Sequence, residues 1–547
     1  MLKWFFFLMV ISAPVFGQRL IEGKLVDAVN GEPVPFASIG IVGTSKGTSS
    51  NVNGEFSLSV TEPFSIKITC IGFESLTVNS DENFTLIKLK PAVTELNAII
   101  ILSNPMKAKK VLQKAFARIH DNYSTDPFFQ KFFYRHYCKD NEEYGRLIEA
   151  SVDVWKDQGY RYAQSEAGEK EEIRVTHLRR SLDKTEMAQG HEPIAIGNAL
   201  EADIVAYQTA SKSDHLSFYT HVSDLRTDME NYSFTGLGVT SFDGHEVYQI
   251  TYSYKKDSAL TTSGKYLQKT EVVGTLYITT DSYTFVKAEE TKTFGRNTIR
   301  SSAYYQKFGD KFYPYHFIRD SESYTSDNDR HEVHLELMAV ELNASMSEKF
   351  KGHLPNKEEL LNIPYDSSFW ATNTILKATP LENAIIRDLG GGASLDKQFY
   401  RYRQYELNTR DGGKDGEAKF NWLRADSKGD RILYLIFWSG DFQSYRIELE
   451  RAKQLKQLYH SKITFVLLSV DDDESRWRQA VQKLSLYAGG VINYRIGSNS
   501  QLAKSLAIKE IPSFVLLARS GEVFDSHAKR PSDPLLVEDL KSLIDQK

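Results

Sequence analysis

His136 and Cys138 stand two residues apart in a run that alternates like a strand, which puts both side chains on one face. A thiol beside an imidazole is the arrangement of a nucleophilic pair, the imidazole drawing off the sulfur's proton. Nothing in the sequence orients that imidazole, and single buried cysteines are mostly core residues, so packing is the plainer reading of Cys138. Cys70, between Thr69 and Ile71, also reads as packing. His331-Glu332-Val333-His334 has the composition of a zinc-protease motif but not its spacing. That chemistry needs histidines at i and i+4 on one helix face. These two are three apart in a strand-like run, go to opposite faces, and read as solvated strand histidines. Asp471-Asp472-Asp473-Glu474 could converge on a cation, but it lacks the alternating spacing and turn glycine of a calcium loop. An acidic cap on a helix that follows explains it more simply. The glycine run Gly390-Gly391-Gly392 lacks the Lys-Ser or Lys-Thr of a phosphate loop and reads as linker. We therefore assign no catalytic residue, no metal ligand and no cofactor from the sequence.

Few elements are needed to place these groups, and they sort into several domains. A chain of 547 residues exceeds one core. Lys3, the apolar run Trp4 to Ile11 and Ser12-Ala13-Pro14-Val15-Phe16-Gly17 read as a signal peptide cleaved before Gln18. The expected location is therefore periplasmic or cell-envelope associated, with no transmembrane segment in the mature chain. A net charge of −5 leaves no footprint for nucleic acid. With 29 tyrosines and 31 phenylalanines, the chain suits β-rich domains with half-exposed sheet faces. Its two cysteines fall in different segments and form no disulfide framework.

Residues 18–102 show short strands punctuated by Asn30-Gly31 and Asn53-Gly54 turns, the pattern of a β-sandwich. Residues 103–127 carry Val111, Leu112, Ala115, Phe116 and Ile119 at helical spacing, a connecting helix. Residues 128–345 alternate polar with aromatic or β-branched residues, as in Glu246 to Tyr252 and Gly274 to Ile278. They read as a large antiparallel sheet curved around helices of the segment 168–215. Residues 346–420 read as a connector, with glycine-rich loops near 390 and 412. In residues 421–547, Ile463 to Val470 is a continuous apolar strand of the kind buried in a parallel sheet.

Two stretches resemble known families. Gly23 to Asp27, Gly31 to Ala37, Gly43 to Thr48, Asn53 to Phe56 and Ile71-Gly72-Phe73 resemble the carboxypeptidase-regulatory-like, transthyretin-like β-sandwich of envelope proteins. That resemblance implies a non-catalytic accessory domain. The segment from Phe437 to Leu449 resembles the motif of extracytoplasmic thiol-disulfide oxidoreductases, F-W-A-S-W-C-G-P-C-R-x-E-L. Phe437, Trp438, Arg446, Glu448 and Leu449 match it in register, while Phe442 and Tyr445 occupy the two cysteine positions. Ile511-Pro512-Ser513-Phe514 is similar to that family's I-P-T-F, whose proline is cis and faces the cysteine pair. Phenyl and phenol rings cannot perform thiol-disulfide exchange. The middle segment also resembles, on architecture alone, the half-barrel of periplasmic lipoprotein carriers.

The expectation is a multidomain α+β protein: an N-terminal β-sandwich, a large antiparallel β-rich middle domain and a C-terminal thioredoxin-like α/β domain. Its expected function is non-catalytic binding or scaffolding of an envelope protein or peptide. The expected surface is the degenerate face built from Trp438, Phe442, Gln443, Ser444, Tyr445, Ile511 and Pro512. The alternative is an enzyme, a thiol-dependent redox partner or a hydrolase, with its site in the middle domain.

Overall fold

The computed structural model describes residues 18–92, 105–161, 171–181, 194–206, 220–221, 225–226, 229–261, 266–324, 328–344, 350–353, 359–360, 363, 365–372, 384–385, 388–389, 393, 395–409, 412–440, 446–459, 462–484 and 491–545. The chain divides into two compact units, 1–395 and 396–547.

The first unit begins with β1 (Gln18–Asp27), β2 (Ser38–Ile41), β3 (Gly47–Ser49), β4 (Glu55–Thr61), β5 (Ser65–Thr69), β6 (Leu76–Asn79) and β7 (Leu86–Leu89). They form two sheets, ordered β4-β1-β7 and β3-β2-β5-β6. Between them pack Ile21, Leu25, Phe56 and Leu58 from the first sheet and Ile39, Ile66 and Ile68 from the second. Gly54 is required at its turn: its φ is +74°, and a Cβ there would stand 2.3 Å from the Leu25 carbonyl oxygen.

After α1 (Pro105–Ala117) and α2 (Ile119–Asn122) come β8 (Phe128–Asp140), β9 (Glu143–Lys156), β10 (Glu171–Arg180), α3 (Ile196–Leu200), β11 (Thr220–His221), β12 (Tyr232–Phe242), β13 (His245–Tyr254), β14 (Ser258–Thr261), β15 (Tyr266–Gln268), β16 (Thr270–Thr279), β17 (Phe285–Phe294), β18 (Asn297–Phe308), β19 (Lys311–Tyr324) and β20 (Arg330–Asn343). Ten of these strands make one antiparallel sheet, ordered β10-β9-β8-β20-β19-β18-β17-β16-β13-β12. One face carries the main core, and α1 lies on it through Val111, Leu112, Ala115 and Phe116. The helix is therefore part of the domain's interior and not a bare connector. Asp203, just after α3, accepts hydrogen bonds from the Tyr160 hydroxyl at 2.9 Å and the Tyr305 hydroxyl at 2.7 Å, which holds that turn against the same core.

The opposite face meets the N-terminal sandwich. Phe133, Met338, His316 and Tyr304 stand in register across β8, β20, β19 and β18. The Phe36 ring packs 6.0 Å from Tyr304 and 5.7 Å from His316, and the Tyr315 hydroxyl donates to the Phe36 carbonyl at 3.2 Å. The Ser49 N–H points at Met338 Sδ at 3.1 Å.

Two sequence expectations need correction here. Glu171–Arg180, placed among helices, is the edge strand β10. A bulge between Val175 and His177 breaks its period-two pattern, so buried Ile173, Val175 and Leu178 do not alternate. His331 and His334 do lie on a strand, but they are not solvated: His331 is buried beside Asp140 at 2.5 Å, and His334 is half-buried beside Asp320 at 2.7 Å.

Residues following the sheet return to β10. The Gly352 N–H donates to Glu172 Oε2 at 2.9 Å, and a Cβ at Gly352 would stand 2.3 Å from the Ile173 carbonyl oxygen. From α4 (Ser367–Thr372), Phe369 stacks on His177 at 3.6 Å, and Trp370 lies under the Arg179 guanidinium at 4.4 Å.

The second unit contains α5 (Leu395–Thr409), α6 (Gly416–Asp426), β21 (Ile432–Trp438), α7 (Arg446–Tyr459), β22 (Ile463–Ser469), α8 (Glu474–Lys483), β23 (Ile492–Arg495), α9 (Gln501–Ser505), β24 (Ser513–Leu517), β25 (Val523–Asp525) and α10 (Leu536–Asp545). Its sheet runs β23-β22-β21-β24-β25, with the first three strands parallel and the last two antiparallel. The continuous apolar run of β21 follows from two covered faces. Ile432, Tyr434, Ile436 and Trp438 join the layer with α7, α8 and α10, while Leu433, Leu435 and Phe437 join the layer with α6 and α9. The unit reaches upstream of residue 421: Phe420 is fully buried, and the Tyr494 hydroxyl donates to the Asn408 carbonyl at 2.7 Å.

Candidate functional site

The strand ends of the second unit define its candidate site. Phe442, Gln443, Ser444 and Tyr445 lie outside the described residues, which resume at Arg446 after Gly440. On the upstream side, Ser439 Oγ donates to Asp471 Oδ1 at 2.8 Å and Gly440 N to Asp471 Oδ2 at 2.9 Å. Ser469 Oγ adds a third hydrogen bond to Asp471 Oδ2 at 2.6 Å. A buried carboxylate thus ties the end of β21 to the end of β22. On the downstream side, Leu449 of α7 is core, and Glu448 accepts from Ser532 N at 2.9 Å and Ser532 Oγ at 2.7 Å. The Ile511–Pro512 peptide is cis, as the resemblance implies, and Ile511, Pro512 and Phe514 are half-buried. Ile447, in the first turn of α7, is 73% exposed.

Trp438 does not belong to an exposed face. It is fully buried, because the last residue of β21 is covered like the rest of that strand. The acidic cluster also resolves into separate roles. Asp473 caps α8, accepting from Ser475 N and Arg476 N. Asp472 accepts from Ser498 N at 2.9 Å, and those hydrogen bonds hold its carboxyl below the usual range. Among the described residues, no group of three or more His, Cys, Asp or Glu side chains is placed to hold a metal ion. Sequence reasoning missed the clamp formed by Asp471. The signal available was its position directly after a fully buried strand, where a carboxylate must find donors.

In the first unit, His136 and Cys138 share a face as their spacing requires, with His136 Nε2 3.3 Å from Cys138 Sγ. Arg146 Nη2 lies 3.4 Å from both atoms. Across the sheet His331 stands opposite Asp140 and is hydrogen-bonded to it through Nδ1. Burial disfavours the charged imidazole, but its interactions with Asp140 and Cys138 outweigh that and raise His331 to about 9. Cys138 is fully buried. Cys70 sits partly buried next to the sandwich core, where burial pushes its thiol up to about 11 against the opposing charge of Lys287.

A family model for the CarboxypepD_reg-like domain matches residues 21–101, and a thioredoxin-like model matches residues 429–523. The chain carries both domains. The solved structures similar to the thioredoxin-like domain are oxidoreductases by description. One is a candidate thiol-disulfide oxidoreductase from Bacteroides vulgatus, 31% identical, covering 22% of this chain and 78% of that one, with a TM-score of 0.20. Another is a thiol-disulfide oxidoreductase from Bacteroides fragilis, 25% identical over 21% of this chain and 81% of that one, with a TM-score of 0.18. A third is a secreted disulfide oxidoreductase of Mycobacterium tuberculosis, 18% identical over 22% of this chain and 84% of that one, with a TM-score of 0.18. No curated protein matches the chain. Residues 396–547 of this chain contain no cysteine. Among the described residues, no helix is long and apolar enough to cross a membrane.

Proposed function

We propose that this chain is an exported, cell-envelope binding or scaffolding protein whose thioredoxin-like domain is redox-inactive and serves to dock protein. One observation carries the reading: residues 396–547 contain no thiol that could exchange, since both cysteines of the chain, Cys70 and Cys138, lie before residue 396. Dithiol exchange requires an attacking and a resolving thiol, and Phe442 and Tyr445 provide neither. The framing geometry is consistent with a retained binding face. Gly440, held by Asp471, and the exposed Ile447 flank in the chain the segment that holds Phe442 and Tyr445, and the cis Ile511–Pro512 peptide is the one the family resemblance sets opposite that segment. Replacing two sulfurs by a phenyl and a phenol gives an apolar surface with one hydroxyl, the composition of interface hot spots. The partner class is an envelope protein or an extended peptide.

The test uses the full chain with Cys70→Ser and Cys138→Ser. Insulin reduction with dithiothreitol is expected to run at the buffer rate, and a rate above buffer overturns redox inactivity. Pull-down from native envelope tests the docking half: Tyr445→Asp is expected to reduce capture with an unchanged melting temperature. Undiminished capture by that variant removes this face as the docking surface.

A further inference from the structure

We propose that the seam between the N-terminal sandwich and the ten-stranded sheet holds one small hard cation of the calcium class, with Glu341 as its only carboxylate. The seam encloses a cavity of about 20 Å³, room for one water-sized occupant. Six oxygen-bearing side chains line it: Ser38, Ser45 and Thr48 from the sandwich, and Gln130, Gln306 and Glu341 from the sheet. Among the described residues, no Lys, Arg or His lines it. Glu341 is brought there by a break in the strand pattern. Met338 faces the sandwich, so strict alternation along β20 would send Glu341 to the opposite, core side. A bulge at Val340, between Ala339 and Glu341, adds one residue and returns Glu341 to the sandwich side, opposite Lys131. A second bulge, at Tyr315 between Pro314 and His316 of β19, stands in the wall of the same cavity. The Glu341 carboxylate is not neutralised by its neighbours. Lys131 is engaged by Asp153 at 3.0 Å, and the Glu341 side chain has no hydrogen-bond or ion-pair partner among the described residues.

The donor set selects the ion. Ser38, Thr48 and Gln130 are at most 4% exposed. Ser38 donates its proton to Gln306 Oε1, and Gln130 Nε2 donates to the Pro314 carbonyl at 2.7 Å. Those contacts use donors and leave the Ser38 hydroxyl oxygen and Gln130 Oε1 as acceptors. The Leu342 N–H donates to the Ser45 carbonyl at 3.2 Å, which ties the two walls together. Oxygen donors without imidazole or thiolate suit a hard cation. Calcium takes six to eight oxygens in flexible geometry, whereas magnesium keeps several of its waters, for which a water-sized cavity has no room. With one carboxylate among neutral oxygens, the affinity belongs with the weak calcium sites of extracellular modules, at about 0.1–1 mM. A bound ion would join sandwich and sheet at this seam.

The experiment titrates the full chain with terbium, a luminescent ion that takes calcium sites and is excited through nearby phenols. Tyr313 and Tyr315 line the cavity and serve as the antenna. Excitation of tyrosine is expected to give terbium luminescence that saturates with added ion, and calcium should displace the terbium where magnesium at the same concentration does not. Glu341→Gln should weaken terbium binding at least ~10-fold, since it removes the one charged oxygen donor, with an unchanged melting temperature in a chelator. A natural chain without saturable luminescence overturns the proposal, the cavity then holding water only, and this measurement needs no variant to fold. Equal terbium affinity in folded Glu341→Gln, or displacement by magnesium as readily as by calcium, also overturns it.

Discussion

Asp471 is hydrogen-bonded to both Ser439 and Gly440, which fixes the exit of β21 to the exit of β22 at the place where a dithiol enzyme would present its cysteines. The clamp is present in a unit whose residues 396–547 contain no cysteine. Asp471→Ala leaves three donors of a tightly packed corner without their acceptor, and should destabilise the second unit by about 1–3 kcal/mol. Thermal unfolding of the full chain, followed by tryptophan fluorescence of Trp438 and Trp477, checks this.

Restoring sulfur should not restore a fast enzyme. In a Phe442→Cys, Tyr445→Cys variant, Asp441 immediately precedes the first cysteine and Gln443-Ser444 separate the pair. A neighbouring carboxylate disfavours the thiolate. The expected first-cysteine pKa is at or above the ordinary ~8.5 of a free thiol. Iodoacetamide alkylation rates across pH measure it, and a value near 6 would contradict this account.

His331 and His334 make the stability of the first unit fall at alkaline pH. Burial opposes protonation of His334, but hydrogen bonds to Asp320 and Glu336 raise it to about 9, as Asp140 does for His331. For a raised folded-state value, the stabilisation is complete below the unfolded value near 6.5 and is lost as pH climbs through about 9. Glu336 behaves oppositely. Burial would raise it, yet His316 and His334 hold it well below the usual carboxylate range, so its contribution is lost only in strong acid. The melting temperature should therefore decline between pH 7 and pH 9.5. His334→Asn should flatten part of that decline and cost on the order of 1–3 kcal/mol at neutral pH.

Cys70 should resist alkylation. With its thiol raised to about 11 by burial, Cys70 is expected to react slowly with iodoacetamide until strongly alkaline pH. Peptide mapping of a pH series separates the two sites, and fast labelling of Cys70 at pH 8 would be inconsistent with its surroundings.

Local pattern carried much of the fold. The two Asn-Gly turns, the alternation of β13 and β16 and the unbroken apolar run of β22 each reflect a rule that acts within ten residues. The cis Ile511–Pro512 peptide came through likeness to a family rather than from any local rule. What stayed hidden depends on contacts between distant segments. The bulge in β10 imitated helical spacing, and α1 showed its apolar stripe but not the sheet it faces. His136 and Cys138 were visible as a pair, because two residues on one strand share a face. Arg146 reaches that sulfur, and His331 reaches Asp140, only through the pairing of β8 with β9 and with β20, a register no single segment encodes.

The stretch that returns to β10 has a consequence for life at high concentration. A ten-stranded sheet ending in a bare strand would offer its unpaired amides and carbonyls to any extended chain nearby. Gly352 lies so close to Ile173 that even a methyl group would collide with the backbone there, and the Phe369 and Trp370 rings press on His177 and Arg179 from the same strand. At Ile173 that border is occupied by the chain's own backbone, so a foreign strand cannot lie there without displacing it. Bulk at position 352 would be the simplest way to push that cover away.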